Sequence, residues 1–374
     1  MSTNSGPRNG PVAVITGASS GIGEATARAL AASGYRLALL ARRADRIEAL
    51  ADELGNGAIA IQADVTDRDS VVKAADRVQA ELGGTDVLIN NAGVMLLAPF
   101  TDAGHDDHRR MIEANLLGAI TVTEAFLDQL VDGGGDLVNL SSVAGRTARP
   151  GNAVYAATKW GLNGWSESLR QELQPGVRVM VIEPGAVATE LTDHITNPDV
   201  KQSAERVKAE LGGTDVLVNN AGIMLLAPFN DEGHDDHRRM IEANLLGVIT
   251  VTEAFLDQLV DGGGDLVNLS SVAGRTARPG NAVYAATKWG INGWSESLRQ
   301  ELQPGVRVMV IEPGAVATEL TDHITNPEVK QGAEKMYQQL AITAEDIAEV
   351  IAFAVTRPRR MTLNEILVRP TAQP

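Results

Sequence analysis

Short apolar, β-branched runs alternate along this chain with longer stretches whose apolar residues recur at helical spacing. Buried parallel strands are written as short continuous apolar runs. Six such runs precede residue 183, at Val12–Ile15, Leu37–Leu40, Ala58–Ile61, Val87–Ile89, Leu137–Leu140 and Val177–Ile182. The longest helical patterns between them cover Asp106–Leu130 and Ala153–Glu172. Alternation of strand and helix predicts a parallel sheet with helices on both faces.

A long internal repeat dominates the organisation of the chain. Residues 77–202 (copy one) recur as residues 206–331 (copy two) at a constant offset of 129. The copies differ at eight positions: Gln79/Lys208, Ile89/Val218, Val94/Ile223, Thr101/Asn230, Ala103/Glu232, Ala119/Val248, Leu162/Ile291 and Asp199/Glu328. Without one repeat of 129 residues the chain would have 245, the size of one α/β domain. The predicted fold class is α/β, a Rossmann-type doubly wound parallel sheet with a duplicated partial α/β half.

Copy two repeats the last three predicted strands, at Val216–Val218, Leu266–Leu269 and Val306–Ile311. A helical pattern over Ala344–Val355 and a strand candidate at Glu365–Val368 follow it. We therefore predict one domain over residues 1–202, holding a complete active site, and a second over 203–374, holding the duplicated half with the C-terminal helix and strand.

Two arrangements of the sheet compete. In the first, six strands come from residues 11–182 and copy two packs on as an incomplete half. In the second, copy two pairs with the N-terminal half and copy one is looped out. Sequential strands usually neighbour each other, which favours the first. Either arrangement leaves one half-sheet with an exposed edge, a liability for association.

Composition excludes several classes of function. The net charge is −16 and no run of Lys and Arg occurs, so a nucleic-acid surface or an anionic-membrane patch is not expected. The absence of Cys excludes disulfides, thiolate metal sites and cysteine nucleophiles. Residues 1–9 are polar, unlike a signal peptide, and no 18 consecutive residues are apolar. A cytoplasmic protein without a membrane span is therefore expected.

A glycine-rich turn, Thr16–Gly23, separates the first predicted strand from a helical run. Glycines at such a turn let backbone N–H groups approach a pyrophosphate, which then sits at the helix N-terminus. The alternative is an ordinary glycine-rich turn. The candidate cofactor-binding residues here are Gly17, Ser19, Ser20, Gly21, Ile22 and Gly23.

Arg42 and Arg43 end the second predicted strand. A carboxylate at this position would accept hydrogen bonds from the ribose 2′-hydroxyl of NAD, whereas arginine pairs with the 2′-phosphate of NADP. The alternative is two solvated surface arginines. The pattern favours NADP (NADPH) over NAD. Asp64 and Val65, after the third strand, are expected beside the adenine.

Several motifs together resemble the short-chain dehydrogenase/reductase superfamily: Thr16–Gly23, Asp64, Asn90-Asn91-Ala92-Gly93, Asn115, Ser142, Tyr155-Ala-Ala-Thr-Lys159 and Pro184-Gly185. Residues 89–97 and 365–370 are, more narrowly, similar to clavulanate-dehydrogenase-like members. The resemblance implies that Asn91, Ala92 and Gly93 lie against the cofactor. It implies the same for Pro184, Gly185 and Thr189, near the nicotinamide. It also implies that Asn115 holds the water of a proton relay through Lys159.

The catalytic chemistry follows from residue types and spacing. Tyr155 and Lys159 are four apart on a helix, so they share one face. An ordinary tyrosine has a pKa near 10, and a neighbouring ammonium favours its phenolate. Tyr155 can then serve as general acid or base, while Ser142, after its strand, hydrogen-bonds the developing alkoxide. The expected reaction is hydride transfer between NADP(H) and a small carbonyl or alcohol substrate.

Copy two carries Asn244, Ser271, Tyr284 and Lys288 at the same spacing but has no glycine-rich turn. It is therefore not expected to hold the cofactor by itself. An alternative function is a nucleotide-binding protein without turnover, in which the duplicated half blocks or misassembles the site. The duplicated helices (106–130 and 153–172, 235–259 and 282–301) predict either an intrachain pseudo-dimer or a homo-oligomer, because a self-complementary patch also fits its duplicate.

His105 and His108, with His234 and His237 in copy two, lie among acidic residues. A metal site is conceivable, but no other converging ligand is evident, so we predict a solvated helix start and no metal. Trp160, Trp165 and Met95 are candidates for pocket walls, although core or interface packing explains them equally well.

Overall fold

The computed structural model describes residues 10–100, 104–184, 199–229, 233–324 and 326–373. Its strands are β1 Val12–Thr16, β2 Arg36–Ala41, β3 Ile59–Gln62, β4 Val87–Asn90, β5 Asp136–Leu140, β6 Arg178–Ile182, β7 Val216–Asn219, β8 Asp265–Leu269, β9 Arg307–Pro313 and β10 Glu365–Val368. Its helices are α1 Gly21–Ala32, α2 Ala44–Leu54, α3 Arg68–Leu82, α4 His105–Ile112, α5 Gly118–Gly133, α6 Ala153–Leu173, α7 Asp199–Leu211, α8 His234–Ile241, α9 Gly247–Gly262, α10 Ala282–Leu302, α11 Pro327–Leu340 and α12 Ala344–Val355.

The strands form two sheets, in the orders β3-β2-β1-β4-β5-β6 and β10-β9-β8-β7. Neighbouring strands pair in parallel throughout both sheets. The predicted α/β fold class is confirmed. The first sheet takes all six strands from residues 12–182, as in the first of the two predicted arrangements.

Contacts divide the chain into two compact units that differ from the halves of the sequence. Among the described residues, unit 1 holds 10–95, 113–142 and 169–184. Unit 2 holds the remainder, including residues 104–112 and 143–168 of copy one. The predicted domain boundary between residues 202 and 203 follows the duplication and stays a prediction.

The core of unit 1 is aliphatic, as expected of a chain with only 3% aromatic residues. Alternate residues of β1 and β2 are fully buried on one face of the sheet, where Ile47 and Leu50 of α2 cover them. Continuous burial along β1 marks it as a central parallel strand. This packing fixes the position of the turn between β1 and α1.

In unit 2, α7 takes the position that α3 holds in unit 1. Gln258 Nε2 of α9 donates to the Ala204 carbonyl at 2.8 Å, as Gln129 Nε2 of α5 donates to the Ala75 carbonyl at 3.1 Å. Copy two therefore has its own equivalent of α3, although it lacks β1 to β3. At the opposite edge of this sheet β10 pairs with β9, and α12 covers them through Ile347.

Within unit 2, α6 and α10 contact each other through reciprocal pairs. A Cβ on Gly164 would lie 2.4 Å from Cγ of Trp289, and a Cβ on Gly293 would lie 2.4 Å from Cγ of Trp160. Two other contacts also occur twice, with the copies exchanged. Ser168 Oγ donates to Arg278 O, and its counterpart Ser297 Oγ donates to Arg149 O. The Phe100 ring packs edge-on against Trp294, and its counterpart Phe229 packs edge-on against Trp165. Residues of copy one thus meet copy two as symmetry-related residues meet in a two-fold dimer.

The prediction of a solvated helix start at the histidines is wrong. His105 and His108 are buried, and Nδ1 of each ring lies within hydrogen-bond distance of the Glu253 carboxylate, at 3.1 Å for His105. The Phe100 ring stacks on His108, with centroids 5.1 Å apart. The sequence of one copy gives no sign of this, because the covering residue Glu253 belongs to the other copy. Within the described ranges no three His, Cys, Asp or Glu side chains are arranged so that they could hold a metal ion.

The helical run His234–Gly262 is long and apolar enough, by length and composition alone, to cross a membrane. Half of its apolar window is buried in the structure. No other helix in the described part of the chain passes this test.

Candidate active site

The turn between β1 and α1 requires glycine at defined positions. Gly17 and Gly21 have φ of +66° and +58°, a region that side chains disfavour. A Cβ on Gly23 would lie 2.4 Å from Gly17 O and 2.5 Å from Asn91 Nδ2. Ser20, the residue before α1, makes no side-chain capping bond. The N-terminus of α1 therefore keeps the backbone donors that anions bind.

Asn91 fastens this turn to the end of β4. Its Nδ2 donates to Thr16 O at 2.9 Å and to Gly17 O at 3.2 Å. Thr16 Oγ1 accepts from the backbone N–H groups of Asn91 and Ala92, both at 3.0 Å. The structure thus brings the predicted residues 91–93 and the glycine-rich turn together within unit 1.

The two arginines after β2 differ in their surroundings. The Arg43 guanidinium donates to Ser19 Oγ at 2.9 Å and to Ser20 Oγ at 2.8 Å, so it lies against the glycine-rich turn. Arg42 is exposed, and its Nη1 is 4.0 Å from a carboxylate oxygen of Asp64. A cationic side chain at the turn favours a bound anion there.

Val65, the predicted neighbour of the adenine beside Asp64, packs against a helix. A Cβ on Gly118 would lie 2.8 Å from Val65 Cγ2, so only glycine allows this approach of α5.

Asn115 lies in a π-helical turn, Glu113–Leu117, that interrupts the helix predicted over Asp106–Leu130. Its Oδ1 accepts from Val94 N at 2.6 Å and its Nδ2 donates to Val94 O at 2.7 Å. A Cβ on Gly93 would come within 2.9 Å of the same oxygen. The turn therefore holds Asn115 against the segment after β4. π-turns inside helices occur frequently at functional sites.

Ser142 and Pro184 lie past the carboxyl ends of neighbouring strands. β5 pairs with β6 up to Leu140 and Ile182, and Ser141 N donates to Ile182 O at 2.8 Å. Ligands of open α/β sheets bind at this edge. The other two predicted residues of this loop, Gly185 and Thr189, lie outside the described residues.

Tyr155 and Lys159 lie in the first two turns of α6, in unit 2. Lys159 Nζ is 5.7 Å from the centroid of the Tyr155 ring, so the two side chains share one face as predicted. Burial lowers the pKa of Lys159 to about 8, because a desolvated ammonium is disfavoured. The group is still largely protonated at neutral pH.

Copy two assembles its four corresponding residues within unit 2. Asn244 exchanges hydrogen bonds with the backbone of Ile223, both at 2.8 Å. Lys288 Nζ donates to Leu269 O at 2.9 Å. The two bonds between Asn244 and Ile223 match those between Asn115 and Val94. Copy two therefore reproduces this local structure without β1 to β3.

Tyr284 is buried and hydrogen-bonded to Ser271. Burial raises the pKa of Tyr284 above its usual value, and the nearby Tyr337 of α11 raises it further. A higher pKa is the opposite of what a tyrosine base needs at neutral pH. Tyr284 is therefore held in its neutral form.

The sequence placed Asn90 in a motif but did not predict its buried hydrogen bonds. Asn90 Nδ2 donates to Asn139 Oδ1 and to Thr123 Oγ1, both at 2.9 Å, and Asn219 does the same in copy two. The signal was an asparagine at the end of an otherwise apolar strand. These bonds tie β4, β5 and α5 together beneath the turn.

The chain resembles known proteins in both halves. A family model described as short chain dehydrogenase matches residues 11–199 and again 192–329. An uncharacterised oxidoreductase of Staphylococcus saprophyticus is 40% identical over 201 residues, which cover 52% of this chain and 82% of that protein. Serine 3-dehydrogenase of Agrobacterium fabrum is 41% identical over 181 residues, covering 48% of this chain and 73% of that enzyme.

Among solved structures, a metagenomic short-chain oxidoreductase in complex with NADP is 37% identical, with a TM-score of 0.45 over 48% of this chain and 84% of that one. A short-chain dehydrogenase from Streptomyces avermitilis is 33% identical, with a TM-score of 0.46 over 54% of this chain and 79% of that one.

Proposed function

Because the chain belongs to the short-chain dehydrogenase family, whose members are oxidoreductases that use nicotinamide cofactors, we propose that it interconverts carbonyl and alcohol groups of a small molecule with NADP(H). The observation that carries the choice of NADP(H) is Arg43, hydrogen-bonded to Ser19 and Ser20 of the glycine-rich turn. Charge-assisted contacts to a 2′-phosphate are each worth about 1.5–3 kcal/mol.

The glycine-rich turn fits a dinucleotide. A Cβ on Gly17 or Gly23 would collide with Asn91 Nδ2, so this tight turn needs glycine at both positions. The N-terminus of α1, where Ser20 makes no side-chain cap, offers backbone donors to a pyrophosphate. We propose that the cofactor is held there, with these further residues along it: Arg42, Asp64, Val65, Asn91, Ala92, Gly93, Pro184, Gly185 and Thr189. When bound, the nicotinamide supplies or accepts the hydride.

The residues of copy one move the proton. We propose that Tyr155 gives a proton to the carbonyl oxygen, or takes one from the alcohol, as general acid or base. The Lys159 ammonium beside it favours the phenolate, and the Ser142 hydroxyl hydrogen-bonds the reacting oxygen. Asn115, held by Val94, positions a water that connects Lys159 to solvent.

Copy two serves as a built-in second subunit in this proposal. The reciprocal contacts between α6 and α10 are those of a two-fold dimer interface, and here they form within one chain. The lack of a glycine-rich turn in copy two supports a structural role for it. The narrower similarity to clavulanate-dehydrogenase-like members, and a cytoplasmic location, stay predictions.

The proposal is tested by incubating the protein with NADPH and a panel of aldehydes and ketones while cofactor absorbance is followed. Tyr155→Phe should lower kcat by about 10²–10⁴-fold, the usual contribution of general acid–base catalysis. Tyr284→Phe is the matched control and should leave kcat within about twofold. Cofactor binding without turnover of any substrate would favour the alternative, a nucleotide-binding protein, which the oxidoreductase relatives do not support.

A further inference from the structure

β7 is an edge strand with exposed apolar side chains. β8 is its one partner in the described part of the chain. Val216 is 40% exposed and Val218 is 38% exposed, although both belong to a strand of a parallel sheet. Unpaired edges of this kind are templates for another strand.

The same sequence in copy one is covered. β4, whose residues 87 and 89 correspond to Val216 and Val218, pairs with β1 in the register Ala13↔Val87 and Ile15↔Ile89. Ile89 is 5% exposed as a result. The open edge of β7 therefore duplicates an edge whose partner, β1, this chain itself supplies.

Polar groups along the two edges also correspond. Asp86 Oδ2 accepts from Val12 N of β1 at 2.7 Å, and its counterpart Asp215 is exposed. The backbone N–H of Asn91, the residue that holds the glycine-rich turn, donates to Ile89 O at 3.1 Å.

Its counterpart Asn220 has the same bond to Val218 O at 3.1 Å, and it too is exposed. The backbone after β7 thus already has the conformation that receives a glycine-rich turn.

We propose that this β7 edge, defined by Asp215, Val216, Val218 and Asn220, is a docking surface for the nucleotide-binding half, residues 10–62, of a second copy of this chain. The docked half would end before α3, because α7 already fills the position of α3 beside α9. The hinge is then residues 63–67, between β3 and α3.

The occupant is a second copy because the hinge is short. Five extended residues span about 17 Å. A body of 100 residues has a radius of gyration of about 13 Å, so the span of the hinge is less than the diameter of a body the size of copy one. Exchange between two chains avoids this limit and is a low-cost route to dimers.

The two acceptor edges are nearly equivalent. Moving β1 from β4 to β7 conserves the number of strand pairs, and the main side-chain change is from Ile89 to Val218. Because Val218 has one methylene fewer than Ile89, the equilibrium favours pairing of β1 with β4 over pairing with β7 by about twofold to tenfold. The exchanged dimer is therefore a minor species that concentration and refolding enrich. In it, copy two acquires the glycine-rich turn that it lacks.

Disulfide trapping tests the proposal without reference to enzymatic activity, because the native chain has no Cys. Paired residues of adjacent strands have the Cα separation that a disulfide needs. The test variant is Ala13→Cys/Val216→Cys and the matched control is Ala13→Cys/Val87→Cys. Each is refolded from denaturant at several protein concentrations, oxidised, and run on a non-reducing gel.

We expect a covalent dimer from the test variant that increases with protein concentration, and a crosslinked monomer from the control. Val216→Cys alone should give no dimer. An equal dimer from that single variant would mean that β7 pairs with β7. An intrachain disulfide in the test variant would mean exchange within one chain, and free thiols there beside a crosslinked control would mean no exchange. Each of these three results overturns the proposal.

Discussion

The contact between α6 and α10 predicts the effect of adding one methyl group. Gly164→Ala and Gly293→Ala each place a Cβ 2.4 Å from an indole carbon, whereas carbon atoms pack favourably at 3.5–4.0 Å. Overpacking costs about 1–3 kcal/mol, and a displacement of more than 1 Å puts both variants at the upper end. Alanine in a helix regains about 1 kcal/mol over glycine. The net expected loss of unfolding free energy is about 2 kcal/mol for either variant.

Urea denaturation followed by tryptophan fluorescence measures the loss. Gly332→Ala in α11 is the matched control, since no atom lies within 4 Å of its added Cβ, and it should stabilise the protein by up to about 1 kcal/mol. The double variant Gly164→Ala/Gly293→Ala should lose less unfolding free energy than the two single variants added together. The first methyl group already moves the helices apart, which leaves room for the second. Equal shifts in Gly164→Ala and Gly332→Ala would refute the close approach of these helices.

Three further outcomes are expected. Arg42→Ala/Arg43→Ala should weaken the binding of NADPH by about 10–100-fold and leave the binding of NADH nearly unchanged, measured as dissociation constants. An equal loss of affinity for both cofactors would contradict the assignment of NADP(H). Lys288 has its pKa lowered to about 8 by burial, so the unfolded chain binds more protons between pH 8 and 10.5 and stability rises with pH across that window by up to about 3 kcal/mol. In Lys288→Met this rise should shrink, measured as urea midpoints at pH 7.5 and 10, and an unchanged rise would exclude Lys288 as its source. Deletion of residues 203–331 should leave an active enzyme of 245 residues that dimerises between chains, which light scattering and the NADPH assay will check; an inactive monomer would argue against the pseudo-dimer.

The apolar pattern predicted the elements well where packing is local to one copy. Bounds such as Glu365–Val368 and Ala344–Val355 are confirmed to the residue, because hydrophobic periodicity and flanking polar residues mark both ends. The spacing of Tyr155 and Lys159 also predicted a shared face, which a helix of regular pitch dictates.

The sequence predicted less where a residue's neighbour comes from the other copy or from a break in regular geometry. His105 is buried because Glu253 and Thr250, more than 140 residues away, cover it. The π-turn around Asn115 adds no apolar residue and so leaves no mark on a helical pattern. Both features depend on tertiary contacts that override local preference.

The duplicated helix interface also changes how this protein can vary. In a dimer of identical chains every substitution at a two-fold interface occurs twice, so a residue that suits one side alone is rarely tolerated. Here each side is encoded separately, and the facing helices already differ, with a buried leucine at position 162 and a buried isoleucine at position 291. One member of each reciprocal pair, such as Trp160 with Gly293, can therefore be altered while Trp289 with Gly164 keeps the original fit. With both sides of the contact encoded in one chain, a symmetric contact is free to become asymmetric one mutation at a time.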